Sequence, residues 1–578
     1  MSFHELVTPA LRLVEARPAW TTVALLVLVA LVARSRSSST SSQPPPLKET
    51  VPYVSNAYQY LTDMKSFLRR AGTALERRKI LRMYLGPIKL YLVAGAENAQ
   101  AMFKSSTVMS SDAFMIRVVA TVWDASPEDV VKFANDKSGR LKTPAPGAEE
   151  TPSDERYWAG MHRVMHENLA RMQPTNMLAE TYYREYSKRL EKFHVGEWKI
   201  VSMLQFLKRD IAEAAIISLC GTKILEIAPD LVSLLWDFDE VTGSLTRGLP
   251  RWIDREAWKR SDRFKSALAR YLDSAWTKFD WSGPDADADW DPHFGSRFLR
   301  EMARWAKDSK FTPRTSAGVV GVTGVFALNA NTIPIAAWSI MEVARDPVLL
   351  ESVRKEALSA YVTDPVTGER SLDVQKLLVL PLLQSVYAEA LRLHVSINVT
   401  REIIAPVSLD GYQLQRGALI QAPTELAHYD EHVWSTDGHP ASVFWGERFV
   451  TYVEAIGEDG SVKMMPQFNM AGRSGQWFPY GTCTILLKAR NCIASIVANA
   501  RASLGGGISI CPGRHFAKQE IMMSIAMLVA RFEIEFVEWT MLDGTSPSNR
   551  PAMNDPRFAG TAAVPPDRDM KVRLKRLW

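Results

Sequence analysis

Cysteine is scarce in this chain of 578 residues, which has only four: Cys220, Cys483, Cys492 and Cys511. So few, so widely spread, exclude a disulfide framework. Cys483 and Cys492 stand nine apart with no histidine beside them, a spacing that matches no usual zinc site. Long blocks of like charge are missing too, since 69 basic and 64 acidic residues are dispersed along the chain and leave a formal charge of +5. That dispersal speaks against a nucleic-acid footprint and leaves room for a modest basic face toward an acidic protein partner. No internal repeat is visible.

What is present suits one large globular domain: 47% hydrophobic and 23% charged residues supply a big core and argue against wholesale disorder. Residues 19–33, AWTTVALLVLVALVA, carry no charge. As a helix they span about 22 Å against a bilayer core of about 30 Å, short for a crossing but workable with tilt or local thinning. A cleaved signal peptide and a buried core helix are the rival readings. Arg34, Arg36 and Lys48 follow the run, whereas Arg12 and Arg17 are balanced by Glu5 and Glu15. The positive-inside rule then favours an N-terminal anchor with everything after residue 34 in the cytosol. RSRSSSTSSQPPP, residues 34–46, reads as a stalk that stiffens toward its end. The expected layout is an anchor segment over 1–33, a stalk over 34–52 and a catalytic domain over 53–578.

RMYLGPIKLYLVAG gives two short apolar runs about Gly86 and Pro87, a strand-turn-strand signal. From about 96 to 400 the pattern is mostly helical, with long segments at Asp154 to Met172, Trp198 to Leu219, Arg255 to Phe279 and Ser316 to Ala344. Strands return in VSLDGYQLQRGALIQAP, with Asp410 and Gly411 as the hairpin turn. RFEIEFVEW and DMKVRLKRL close the chain. The fold class is mainly α with small β-sheets.

Cys511 lies in SLGGGISICPGRHF, between three glycines and a Pro-Gly-Arg turn. Such a thiol can be a core residue, a nucleophile or a metal ligand. Nucleophilic use wants a positioned base, and His515, four residues on, need not face back across the turn. Ligand use gains from glycines that let the backbone approach a flat cofactor, from backbone N–H groups that stabilise an anionic sulfur, and from the helix expected over 516–532.

GGGISICPGRHFAKQE resembles the haem-binding loop of the cytochrome P-450 family, in which the cysteine is the proximal ligand of the haem iron. EALR, Glu389 to Arg392, resembles the family's Glu-x-x-Arg element, and Arg448 in FWGERF would complete a Glu-Arg-Arg cluster. By itself Glu389 with Arg392 is only a helix-surface pair at i and i+3. The resemblance runs from about residue 50 to the C-terminus and implies the cytochrome P-450 fold, haem b (iron-protoporphyrin IX) held by Cys511, and Gly507 and Gly513 against the cofactor. It also points to Trp158, His162 and Arg401 as donors to the haem propionates, with His162 where the family often has arginine. A solvent-facing His162 and a plain strand arginine at 401 are the bland alternatives. Ser509 stands where many members carry a basic residue.

The central helix departs from the common pattern. In FALNANTIPIAAW, Ala330 and Asn331 occupy the places of the usual acid and threonine, Thr332 follows, and Pro334 interrupts the hydrogen-bond ladder. This resembles the branch with prostacyclin synthase and the sterol 7α- and 12α-hydroxylases, which mixes isomerases with monooxygenases. Asn331 and Thr332 can both donate hydrogen bonds and are the candidate catalytic pair; Asn331 could instead bridge the proline kink. The resemblance implies a microsomal fungal monooxygenase on the endoplasmic reticulum membrane. It would take electrons from NADPH through NADPH-cytochrome P-450 reductase, with a cytochrome b-type protein as optional second donor. Its substrate would be a lipophilic terpenoid, polyketide or sterol-like molecule of secondary metabolism, touched by FAGTAAVPP, residues 558–566. A reductase-independent isomerase or dehydratase is the alternative.

In similar enzymes WFPYG runs directly into the glycines, but here 24 residues, 482–505, intervene. Removing them places Tyr480 seven before Cys511, where the family has an aromatic residue. Gly481-Thr482-Cys483 can be encoded with a donor GTACGT, Ala498-Asn499 with a branch sequence CTAAC, and Leu504-Gly505 with an acceptor TTAG. The segment is therefore expected to be a retained intron; a genuine insertion, which could leave an inert chain, is the other reading.

Overall fold

In the computed structural model the described residues are 42–436, 438–456, 461–481 and 510–578. The anchor expected at 19–33, residues 34–41 of the stalk, the inserted segment 482–505 and Gly507 lie outside them. The helices that build the site are α1 (Tyr157–Asn168), α2 (Met172–Leu190), α3 (Met203–Cys220), α4 (Leu231–Arg247), α5 (Arg255–Lys278), α6 (Pro313–Ala344), α7 (Pro381–His394) and α8 (Arg514–Arg531). The strands are β1 (Ile80–Leu85), β2 (Ile88–Val93), β3 (Met109–Ser110), β4 (Trp198–Ser202), β5 (Val395–Ile403), β6 (Leu419–Pro423), β7 (Phe532–Thr540), β8 (Thr561–Ala563) and β9 (Asp569–Arg576).

α6 runs through the middle of the main core. It is long and apolar enough to cross a membrane, yet it is mostly buried, with α3, α7 and α8 packed on it. Its apolar residues are spread all round, which suits a helix with protein on every side. One sheet has the order β1-β2-β6-β5-β8, with β3 also on β5; β2 and β6 run parallel and the other pairs antiparallel. A second sheet orders β7-β9-β4. Two turns expected from the sequence are present: Gly86 takes φ 60° between β1 and β2, and Asp410 and Gly411 take φ 50° and 78° between the short strands Val407–Leu409 and Tyr412–Leu414.

The expected helix from Trp198 begins later. Trp198–Ser202 is β4, paired from Lys571↔Ser202 to Lys575↔Trp198, and α3 starts at Met203. The alternating WKIVS suits an edge strand, and its partner lies some 370 residues downstream, beyond the reach of any local pattern.

α7 carries the buried Glu389. Its Oε2 accepts from Arg392 Nε at 2.8 Å, and its Oε1 accepts from Arg392 Nη2 and Arg448 Nε at 2.8 Å each and from the Trp445 N–H at 3.2 Å. His428 extends this cluster toward the cysteine loop. Its Nε2 accepts from the Phe478 N–H at 3.1 Å, so its Nδ1 donates to the Arg392 carbonyl, also at 3.1 Å. Replacing Glu389 with Ala strands two buried guanidinium groups, and about 3–5 kcal/mol of stability should be lost, readable by urea unfolding.

Burial holds two neutral histidines, His394 and His428, down at about 3. Unfolded, each takes up a proton below about 6.5. The stability tied to their neutral forms is therefore present above that pH and lost as pH falls toward 3. Each ring steepens the loss by up to about 1.4 kcal/mol per pH unit. The melting temperature should fall between pH 7 and pH 4.5, and less steeply in His428→Gln, as read by thermal denaturation at each pH.

Candidate functional site

Cys511 precedes α8 by two residues beyond its N-cap, Gly513. Its N–H donates to the Tyr480 carbonyl at 3.2 Å, and Ile510 pairs with Gly481 as an antiparallel bridge. The tyrosine that the sequence places beside the thiol is thus beside it in space, and its hydroxyl bonds that of Tyr387 on α7. Enclosure by protein raises the thiol above its ordinary value, while the N–H groups of Gly513 and Arg514 and the Arg514 charge oppose that rise. A Cβ at position 513 would lie 3.9 Å from Sγ and 3.5 Å from Leu328 of α6. Glycine there keeps the space between thiol and central helix open.

The thiol faces a cavity of about 2200 Å³. α6 supplies Phe326, Ala330 and Asn331; α1 supplies Trp158 and His162; β5 supplies Arg401. Phe326 ends a π-helical turn, Val322–Phe326, a distortion common where helices serve a site. Five residues expected at the site, Cys511, Trp158, His162, Arg401 and Asn331, therefore share one chamber, with Gly513 adjoining the thiol.

Their hydrogen bonds refine the expected roles. The Trp158 indole N–H donates to the Phe133 carbonyl at 2.9 Å, so its ring shapes the wall while its donor is committed. His162 is half-buried and stacks on His166 at 5.9 Å; burial and its cationic neighbours push its pKa down. Arg401 donates from Nη1 to the Thr400 carbonyl at 2.8 Å, and burial pushes its pKa down to about 10. Among the described residues it has no carboxylate partner. Arg140, which the sequence reading missed, also lines the cavity, lies 5.0 Å from the Trp158 ring and pairs with Asp112 at 2.7 Å. It sits in an irregular segment with no motif to flag it.

The candidate pair on α6 divides. Asn331 Nδ2 donates to the Ala327 carbonyl at 3.3 Å, and its Oδ1 accepts from the Ala563 N–H of β8 at 3.1 Å. Thr332 is buried, bonds back to the Leu328 carbonyl within the helix, and does not line the cavity. Ala330 and Asn331 thus face the chamber, and the next position, Thr332, turns its hydroxyl back to the helix. The loop 558–566 meets the cavity through Phe558 to Ala563.

The donor set fits a haem. A thiol at a helix N-terminus faces an apolar chamber, and His162 and Arg401, neither with a carboxylate partner among the described residues, can face two propionates.

Comparison with known proteins agrees. Residues 221–455 match the family model "Cytochrome P-450". The chain is 46% identical over 556 residues to cytochrome P-450 monooxygenase calL of Penicillium decumbens, covering 96% of this chain and 97% of that protein. A shorter likeness, 27% identity over 266 residues and 44% of each chain, links it to cholesterol 7-alpha-monooxygenase of Cricetulus griseus. Its fold matches that of retinoic acid bound cyanobacterial CYP120A1, at TM-score 0.60 and 15% identity over 93% of this chain and all of that one. The chain belongs to the cytochrome P-450 family and is a haem-dependent monooxygenase of the fungal type.

Replacing Arg401 with Ala should weaken haem retention roughly tenfold, the worth of one charge-assisted hydrogen bond, with a smaller loss in His162→Ala. Haem transfer to apomyoglobin measures both.

Proposed function

We propose that the chain oxidises a lipophilic small molecule of the terpenoid, polyketide or sterol-like kind, on a haem that Cys511 would hold through its thiolate and Arg401 and His162 would hold at the propionates. The observation that carries this reading is the Cys511 thiol on the wall of a cavity of about 2200 Å³ opposite the central helix. When bound, haem supplies the activation of dioxygen, aided by electron donation from its thiolate. The chain's own part is to hold the sulfur, exclude water with Phe326 and Ala330, and keep the Asn331 amide within reach of the chamber. Thr332, buried and bonded back to the Leu328 carbonyl, takes no part. Electrons come from NADPH through a membrane-bound reductase, and residues 19–33 anchor the enzyme at the endoplasmic reticulum.

The active form lacks residues 482–505. Because Gly481 and Ile510 are already bridge partners, removing the segment leaves four residues, 506–509, to join them. Four residues are an ordinary hairpin loop. The shortened loop also places Tyr480 seven residues before Cys511.

The test is the reduced carbon-monoxide difference spectrum of the full chain, of the chain lacking 482–505 and of its Cys511→Ser variant. A thiolate-type band in the shortened chain that Cys511→Ser abolishes is expected. No band from either folded form would overturn the thiolate assignment, and equal bands from both lengths would overturn the excision.

A further inference from the structure

α4 forms part of the cavity roof, and its ring contact between Phe238 and Phe326, 5.0 Å between centroids, seats it on the central helix. Four cavity-lining residues, Asp239, Thr242, Gly243 and Thr246, follow the i, i+3, i+4, i+7 spacing of one helix face. The threonines are satisfied within the helix: Thr242 donates to the Phe238 carbonyl at 2.9 Å and Thr246 to the Thr242 carbonyl at 2.8 Å. Gly243 has no side chain; a Cβ there would lie 3.9 Å from the Thr561 methyl. Beside this stripe, Glu240 pairs with Arg260 at 2.7 Å and Ser244 bonds Asp254.

Asp239 is different. It is half-buried, lines the cavity, and has no hydrogen-bond or ion-pair partner among the described residues. Lys208 attracts it from α3, but that ammonium lies over the Trp236 ring at 4.4 Å. A carboxyl removed from water and left unpaired is costly, and a ligand donor would relieve the cost.

We propose that Asp239 hydrogen-bonds a hydroxyl on an otherwise apolar substrate and thereby selects which part of the molecule is presented to Cys511. This rests on the reading of the cavity as the substrate chamber and adds the substrate's polar handle. Burial pushes the carboxyl up to about 7, so near neutrality it both accepts and donates. A hydroxyl does the same, whereas an ammonium only donates. Met115, Val118 and Val122, on or just after the helix Asp112–Thr121, give the chamber apolar surface for the rest of the molecule.

The test uses three probes on one skeleton, 5α-androstan-3β-ol, its 3β-amine and 5α-androstane, with the haem-loaded chain lacking residues 482–505 and its Asp239→Leu and Asp239→Asn variants. Affinity is read from quenching of tryptophan fluorescence. The wild type should bind the alcohol roughly tenfold more tightly than the hydrocarbon, a preference kept largely by Asp239→Asn and lost in Asp239→Leu. No preference in the wild type, or one that survives in Asp239→Leu, overturns the proposal, as does tighter binding of the amine than of the alcohol. All three proteins should give the same thiolate-type carbon-monoxide band. Loss of that band from the wild type would instead count against the haem-thiolate reading, so the two failures are separable.

Discussion

Glu389 is buried completely, and a lone carboxylate in that position would cost several kcal/mol. It is tolerated because four donors from two arginines and one backbone N–H surround it. Arg448 then spends its remaining donors on the carbonyls of Trp434, Pro440 and Val443, which fixes the irregular stretch after β6. From Arg392 the same network passes through His428 to the Phe478 N–H, and the Trp477 indole bonds the Ala388 carbonyl of α7 at 3.3 Å. The aromatic stretch that ends at Gly481 is thereby tied to α7, and Cys511 is tied to that stretch through Tyr480. The position of the thiol depends on a buried ion cluster whose first member is more than a hundred residues away in sequence.

The distal wall is set by a second group of bonds along α6. Pro334 cannot donate to the Ala330 carbonyl, which leaves the helix ladder open where Ala330 meets the cavity. On either side of that gap the helix is bound to the C-terminal hairpin, by Asn331 to Ala563 and by the Trp338 indole to the Val564 carbonyl at 2.8 Å. Trp338 in turn stacks on His394 at the end of α7, 3.9 Å between centroids. The loop that closes the chamber and the helix that lines it are therefore bonded to each other at two points, one of them through Asn331.

The chamber carries both signs of charge. Arg140, Arg401 and His162 come from the segment before α1, from β5 and from α1, whereas α4 brings the unpaired carboxyl of Asp239 together with Arg247. A cofactor with two acid groups and a substrate with a polar end need opposite partners, and the wall holds both kinds.

The sequence by itself determined the mainly α class, the turns at Gly86 and at Asp410-Gly411, the Glu389-Arg392-Arg448 cluster and the special position of Cys511. Each rests on local spacing or on side-chain types that must pair when buried. It also marked the interruption before the glycines, since an aromatic residue was missing from its place near the thiol. Only the tertiary structure decided that Trp198–Ser202 is a strand, because its partner is β9. Only it separated Asn331, facing the chamber, from Thr332, bonded back to the Leu328 carbonyl, and added Arg140 and Asp239 to the wall. These depend on which face of a helix meets which neighbour, and no spacing along one chain contains that.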